Sequence, residues 1–281
     1  MLTRKTGYLT PRRGPVPPAT EHLHTEGYVV LPAVLDPDEV AALRADIDRV
    51  FDELPPDVRS TRKEASSYQP FRYEMLNRSA ECQRVIGHPA ILEVIEPLLG
   101  EDCHVIANTA WRQPPEESDH GGRYWHLDSG PHVPRPAGVP WDERIPYPVF
   151  AIATHIMLVD CPLEAGPTAV LRRSHLSGQP PPFDRLSDDD LTYDDQRPLP
   201  LTLAAGDVAL FVSDLWHRRM PSGPGDPGRY FLQCHYGRRD LAQRLRATRD
   251  ANQLSADAIE RATTKRERTL IGLHEPFFYD G

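Results

Sequence analysis

The chain has few cysteines and no long apolar run. Its four cysteines, Cys82, Cys103, Cys161 and Cys234, are scattered, and no two are close enough to form a zinc or redox motif. Free thiols are typical of a reducing compartment, so we expect a cytoplasmic protein. Because no apolar segment is long enough to cross a bilayer, we expect no membrane partner.

Basic residues are also in the minority. There are 32 Lys and Arg against 41 Asp and Glu, a formal net charge of −9. This balance argues against a nucleic-acid partner, which needs a basic surface. We expect residues 1–20, rich in Pro and Arg, to be a disordered arm rather than a signal peptide. Residues 21–281 are enough for a single domain, acting as a monomer or homodimer.

Two helices are predicted in the first hundred residues. One begins at Asp36-Pro37, where a capping side chain precedes proline, and ends before Pro55-Pro56. The other spans residues 89–99 and ends at Gly100. Both carry apolar residues at helical spacing, so each should bury one side.

From residue 103 onward, short β-like runs replace the helical pattern, with Gly- and Pro-rich connections between them. These runs cover residues 104–109, 124–128, 149–159, 168–171, 199–203, 208–212 and 230–236. Polar helical sequence returns at 239–268. Many short strands predict a mainly β fold with flanking helices, namely a double-stranded β-helix (a cupin-like jelly roll) packed on an N-terminal helical layer.

His126 and Asp128 are two positions apart in a predicted strand, so their side chains point to the same face. Another imidazole from a distant strand would complete the two-histidine, one-carboxylate triad that holds non-haem Fe(II) and leaves one side of the metal open. His217 is the best candidate. A His-x-Asp pair alone is weak in a chain with 12 histidines and 41 acidic residues. The strands predicted between His126 and His217, however, allow the two to meet across a barrel.

A series of short motifs runs through the chain in a fixed order. They are His126-Leu127-Asp128, Leu158-Val159-Asp160, Glu164-Ala165-Gly166-Pro167-Thr168, Ser174-His175, the run 203–211, Leu215-Trp216-His217 and Arg229. Their order and spacing resemble the phytanoyl-CoA dioxygenase (PhyH-like) family of Fe(II)- and 2-oxoglutarate-dependent oxygenases. The resemblance implies that His126, Asp128 and His217 bind Fe(II) and form the catalytic centre. It also implies that 2-oxoglutarate and O2 are cosubstrates, with ascorbate supporting activity in vitro.

The resemblance further implies that an arginine binds the far carboxylate of 2-oxoglutarate. Arg229, twelve residues after His217, takes that place. The planar guanidinium fork matches a carboxylate in a way that lysine cannot. The alternative is a surface arginine that follows a turn. Arg218 and Arg219 are weaker candidates because they directly follow a metal ligand.

Three more residues are candidates for cosubstrate contacts. Thr168 lies where related enzymes place a hydroxyl against the same carboxylate, and His155 where they place a ring beside the cosubstrate. Arg72 could reach the site from the helical layer. The alternatives are an ordinary strand threonine, a core histidine and a solvated arginine.

The predicted reaction is hydroxylation of a small organic substrate. The resemblance implies that an intact Asp128 favours this over halogenation, because halogenating relatives lack that carboxylate. No basic cluster suggests a coenzyme A pocket, so we expect a specialised, natural-product metabolite. The loops 130–148 and 177–200 and the aromatic C-terminus are expected to set specificity. Desaturation, ring formation or epimerisation at the same metal, a catalytically inactive binding protein and a zinc hydrolase remain alternatives.

Overall fold

The structure is a computed structural model that describes residues 15–53, 71–115, 123–245 and 253–275, together with the backbone of 2–5 and 8–11. Its strands are β1 (Leu2–Lys5), β2 (Tyr8–Pro11), β3 (Tyr28–Leu31), β4 (Phe71–Tyr73), β5 (His104–Gln113), β6 (Ala151–Met157), β7 (Thr168–Val170), β8 (Leu199–Pro200), β9 (Val208–Val212), β10 (His217–Arg219) and β11 (Arg229–Gly237). Its helices are α1 (Pro18–Glu26), α2 (Pro37–Glu53), α3 (Met75–Arg78), α4 (Ala80–Val85), α5 (Pro89–Leu99), α6 (Ala256–Arg261) and α7 (Lys265–Leu270).

Two antiparallel sheets form the body of the domain. The larger has six strands in the order β3-β9-β6-β11-β5-β4, and the smaller has three in the order β10-β7-β8. The crossovers and the two facing sheets are those of a jelly roll, so the predicted mainly β fold class is confirmed. The strands β1 and β2 pair only with each other.

Successive side chains of each strand point alternately to the interior between the two sheets and to the outer side. Apolar side chains of both sheets meet in the interior, where Ala153, Met157, Phe211 and Phe231 of the large sheet share a buried cluster with Val170 of the small one. The intervening residues of the large sheet point the other way and pack against the helices. That outer cluster includes Leu43, Ile47, Ile91, Ile95, Val105, Ile152, Ile156, Leu210, Leu232 and Cys234. The interior side of the sheets is therefore where polar side chains can form a site.

The helices follow the local signals in the sequence. At the start of α2, Asp36 Oδ1 accepts from the Glu39 amide at 2.9 Å, and Glu39 Oε2 accepts from the Asp36 amide at 3.1 Å. Such a cap stabilises a helix by about 1 kcal/mol. The bounds of α5 match the prediction, and Gly100 follows it with φ of 105°. No described helix is both long and apolar enough to span a membrane.

Several predicted boundaries were wrong. Helix α1 begins at Pro18, inside the predicted arm, and Thr20 is fully buried, donating to the Val94 carbonyl at 2.9 Å. Strand β4 lies where irregular chain was expected, and segment 124–128 contributes only an isolated bridge at His126 instead of a strand. The expected helix over 239–268 is replaced by α6 and α7 in the part that is described. The aromatic residues at 277–279, which were expected to set specificity, lie outside the described residues.

Candidate metal centre

His126 and His217 are direct backbone neighbours. The His126 amide donates to the His217 carbonyl at 3.0 Å, and the His217 amide donates back to the His126 carbonyl at 3.1 Å. Their rings lie 4.3 Å apart between centroids. Two residues 91 positions apart in the chain are thus fixed to each other by a reciprocal pair of hydrogen bonds, as the metal-site hypothesis required.

Each ring is oriented by a carbonyl two residues earlier. Nδ1 of His126 lies 2.6 Å from the Tyr124 oxygen, and Nδ1 of His217 lies 2.9 Å from the Leu215 oxygen. A carbonyl only accepts, so each Nδ1 carries a proton, and Nε2 is the nitrogen left to bind a metal. This tautomer is the one in which a histidine binds a metal through Nε2.

Asp128 supplies the carboxylate. Its Oδ1 lies 3.5 Å from Nε2 of His217. One nitrogen or oxygen from each of His126, Asp128 and His217 lies within 4.8 Å of the other two, and the described residues contain no other such group of three or more His, Cys, Asp or Glu. Burial alone would raise the pKa of Asp128, but His217 and His235 outweigh it and hold the pKa well below its ordinary value. A carboxylate beside two imidazoles, in reach of one point, suits a divalent cation.

Sequence reasoning missed His235. Its Nε2 lies 2.8 Å from Asp128 Oδ2, whereas His217 lies nearest to the other oxygen, Oδ1. A signal for it was present in β11, where residues two apart share a face. Arg229 was expected to face the site, so Phe231, Gln233 and His235 face it too.

Arg229 lies in the same interior as the metal cluster. Its side chain is buried, it donates from Nη2 to Thr168 Oγ1 at 3.2 Å, and its guanidinium lies 4.8 Å from the Phe231 ring centroid. Its Nε has no hydrogen-bond partner and it forms no ion pair among the described residues. Burial lowers the pKa of Arg229, although Cys161 and Asp226 act in the opposite direction. A buried cation without a counterion is costly in isolation and suits an anionic ligand.

His155 lies beside Thr168, with 3.4 Å between its Nδ1 and Thr168 Oγ1. Its ring packs on those of Phe211 and Phe231, at 5.2 and 4.7 Å between centroids. Burial and the neighbouring Arg229 lower the pKa of His155 well below its ordinary value. The ring is therefore neutral, and the structure brings His155, Thr168 and Arg229 together.

A second arginine faces the same interior. Arg219 pairs with Thr168 across β10 and β7, so the two side chains share a face. Arg219 donates to the Ala165 and Gly166 carbonyls at 3.2 and 3.4 Å, and its buried Nη1 has no partner among the described residues. Burial, reinforced by Arg229, lowers its pKa to about 10. Arg218 points to the opposite face, where it pairs with Asp189 at 2.6 Å.

The structure does not bring Arg72 into the site. Its neighbour across β4 and β5 is Ala110, which belongs to the outer cluster. The Arg72 guanidinium lies 4.3 Å from the Phe51 ring centroid and donates to the Phe51 carbonyl at 3.2 Å. The prediction that Arg72 contacts the cosubstrate was therefore wrong. Its neighbours Phe71 and Tyr73 face the interior, and successive residues of a strand point to opposite faces.

The loop 130–148 is attached beside the centre by one buried carboxylate. Asp214 Oδ1 accepts from His132 Nδ1 at 2.8 Å and from the His132 amide at 3.2 Å, and Oδ2 accepts from the Tyr147 hydroxyl at 2.5 Å. The close approach requires glycine at 130, because a Cβ there would lie 2.2 Å from Asp214 Oδ1. Both ends of the loop are thus held three residues before His217.

A jelly roll with two histidines and one carboxylate around one point, and a buried arginine in the same interior, defines the class of non-haem metal enzymes that use an acidic cosubstrate. The comparison with protein families agrees. The phytanoyl-CoA dioxygenase (PhyH) family model matches residues 23–221, so the chain belongs to that family. Arg229 and His235 lie beyond the matched range. No curated protein matches the chain.

Solved structures share the fold at low sequence identity. The epimerase SnoN, in complex with Fe3+, alpha-ketoglutarate and nogalamycin RO, is 19% identical, with a TM-score of 0.61 and coverage of 84% of this chain and 91% of SnoN. HygX from Streptomyces hygroscopicus, with nickel and 2-oxoglutarate bound, is 17% identical (TM-score 0.58, coverage 87% and 94%). EctD from S. alaskensis, with 2-oxoglutarate and 5-hydroxyectoine, is 20% identical (TM-score 0.61, coverage 81% and 77%).

Proposed function

We propose that this protein is an Fe(II)- and 2-oxoglutarate-dependent dioxygenase that hydroxylates a small organic molecule, a specialised natural-product metabolite. The observation that carries the proposal is the cluster of His126, Asp128 and His217, in which one ring nitrogen of each histidine and one carboxylate oxygen lie within 4.8 Å of one another. Family membership and neighbours solved with iron or nickel and 2-oxoglutarate support it.

The donor set fits a ferrous ion. Two neutral imidazoles and one carboxylate offset only part of its charge, so a chelating anion is still attracted to the remaining positions. With 2-oxoglutarate and O2, such an ion supplies the oxidation of a substrate, and the keto acid leaves as succinate and carbon dioxide. The protein holds its three ligands in place through the reciprocal backbone bonds of His126 and His217 and through the carbonyls that orient their rings.

The opposite end of the interior fits the far carboxylate of the keto acid. Arg229 offers an unpartnered Nε, and Thr168 offers a hydroxyl next to the same guanidinium. Arg219 adds a second buried positive charge on that face, with an unpartnered Nη1. His155, whose pKa is lowered well below its ordinary value, adds a polar group beside Thr168 without adding charge.

A different oxidative outcome at the same metal is the second candidate. Two of the solved neighbours are an epimerase and a carbocyclase from nogalamycin biosynthesis, and both are described as alpha-ketoglutarate dependent. Nothing in the donor set separates hydroxylation from epimerisation, ring formation or desaturation, because the ligands are the same. The product therefore has to be identified directly.

The test is turnover with Fe(II), ascorbate and 2-oxoglutarate, with succinate measured as the common product and mass spectrometry applied to a panel of natural-product substrates. We expect oxygen-dependent succinate formation, a mass gain of one oxygen for hydroxylation, and no activity in His126→Ala. Mass loss of two hydrogens or an isomeric product would favour the second candidate. If no succinate forms above background and calorimetry shows no 2-oxoglutarate binding, the chain is a binding protein and the proposal is wrong. Conversion of a substrate that persists without oxygen would identify a hydrolase instead.

A further inference from the structure

The carboxylate of Asp128 has two oxygens with different surroundings. Oδ1 lies 3.5 Å from Nε2 of His217, a member of the candidate metal cluster, whereas Oδ2 lies 2.8 Å from Nε2 of His235, which is not. A carboxylate torsion has two broad, equivalent orientations, so the side chain itself does not distinguish its oxygens. The contact with His235 is what makes them different.

His235 is not a fourth member of the metal group. The ligand atoms within 4.8 Å of one another belong to His126, Asp128 and His217, and no other His, Cys, Asp or Glu of the described residues joins them. Any effect of His235 on a bound ion therefore passes through Asp128.

The strand β11 places His235 between two neighbouring strands. It is hydrogen-bonded on both sides, to β5 and to β6, and the residues that pair with His235 are Ala107 and Ala153. Paired residues in antiparallel strands point to the same face. The single methyl group on each side leaves room for the imidazole to reach the carboxylate and offers it no competing hydrogen bond.

We propose that His235 is a positioning residue that holds Asp128 Oδ2, so that Asp128 binds the metal through Oδ1 alone. The inference rests on the proposed metal site and adds a residue to it. A carboxylate that binds through both oxygens would occupy one more position on the ion. Restricting it to one oxygen leaves room for a chelating keto acid and for dioxygen. Outer partners that orient metal ligands in this way typically contribute 10–100-fold to metal affinity.

The test is a titration of the metal-free, full-length protein with Mn(II), followed by electron paramagnetic resonance, for the wild type and for His235→Leu, His235→Gln and His235→Asn. Leucine fills the space without a donor, and we expect it to weaken Mn(II) binding about 10–100-fold. Glutamine places an amide N–H at a reach similar to Nε2, so it should recover part of the loss. Asparagine is too short to reach Oδ2 and should not.

His132→Leu is the matched control. It removes a histidine–aspartate hydrogen bond of the same 2.8 Å length, at Asp214, outside the metal cluster. We expect it to keep the wild-type affinity for Mn(II). Circular dichroism on each variant shows whether it folds.

The outcomes separate the inference from the proposed function. If the wild type binds Mn(II) and a folded His235→Leu binds it equally well, the positioning role is overturned while the metal site stands. If His235→Leu does not fold, equal affinities of the glutamine and asparagine variants overturn the role instead. If the wild type itself binds no Mn(II), the proposed metal site is wrong, and the role of His235 fails with it.

Discussion

Replacing Arg229 with methionine separates a cosubstrate-binding role from a structural one. Arg229 is buried, its Nε is unpartnered among the described residues, and burial lowers its pKa, so the folded chain carries an incompletely compensated charge there. Methionine has a similar length and no charge. Replacing a buried ionic group with a well-packed apolar one is often neutral or stabilising. We therefore expect the ligand-free Arg229→Met protein to unfold at the wild-type temperature or above it.

The effect on 2-oxoglutarate binding should be large. A guanidinium fork makes two parallel hydrogen bonds to a carboxylate, and hydrogen bonds to charged groups contribute about 1.5–3 kcal/mol each. Loss of both removes about 3 kcal/mol or more, which raises Kd roughly 100-fold or more. Arg229→Lys keeps the charge but not the fork, so it should lose roughly tenfold.

The assay is calorimetric titration of the metal-loaded protein with 2-oxoglutarate, together with thermal unfolding of the metal-free protein. Arg218→Met is the control, because Arg218 is equally buried but lies on the small sheet, with its side chain on the face opposite to Arg219 and Thr168. It should bind 2-oxoglutarate as the wild type does. Unchanged 2-oxoglutarate affinity in Arg229→Met, or a loss of several kcal/mol in its ligand-free stability, would refute the binding role and assign Arg229 to the core.

Three further perturbations have defined outcomes. Asp214→Ala should reduce the free energy of unfolding by on the order of 3 kcal/mol, measured by urea denaturation, because it leaves the buried partners of that carboxylate unpaired. Burial lowers the pKa of His175 to about 4 from an ordinary 6.5, so the unfolded chain binds its proton first. Stability should then fall by about 3 kcal/mol as the pH drops from 6.5 to 4, and His175→Gln should flatten that part of the pH profile. Thr168→Val should raise KM for 2-oxoglutarate about tenfold through loss of one hydrogen bond, with metal affinity unchanged.

The features that sequence predicted well are those with a local cause. Helix α5 follows its proline start and glycine end, and β9 was predicted at its observed bounds, because an unbroken apolar run lies between turn residues. His126, Asp128 and His217 could be named as one group because a ferrous triad needs a fixed set of side chains. Their close approach was an expectation from fold type, and the backbone bridge between His126 and His217 bears it out.

The features that sequence predicted poorly depend on strand register. Arg72 lies one residue from Phe71 and Tyr73, which face inward, and a shift of a single residue reverses the face. No local signal fixed that register, because β4 has only three residues. His235 was missed for a different reason. The alternation of β11 predicts that His235 points to the same face as Arg229. Its partner Asp128, however, lies more than a hundred residues earlier in the chain, so no local pattern links the two.

His132 and Tyr147 lie near the two ends of the loop 130–148, and both are hydrogen-bonded to Asp214. Because both ends are fastened to one carboxylate, residues 133–146 can differ in length and composition while the anchors stay in place. Substrate range could then diverge by exchange of this insert alone, in evolution or by grafting in the laboratory, without any change to the ligands that hold the ion.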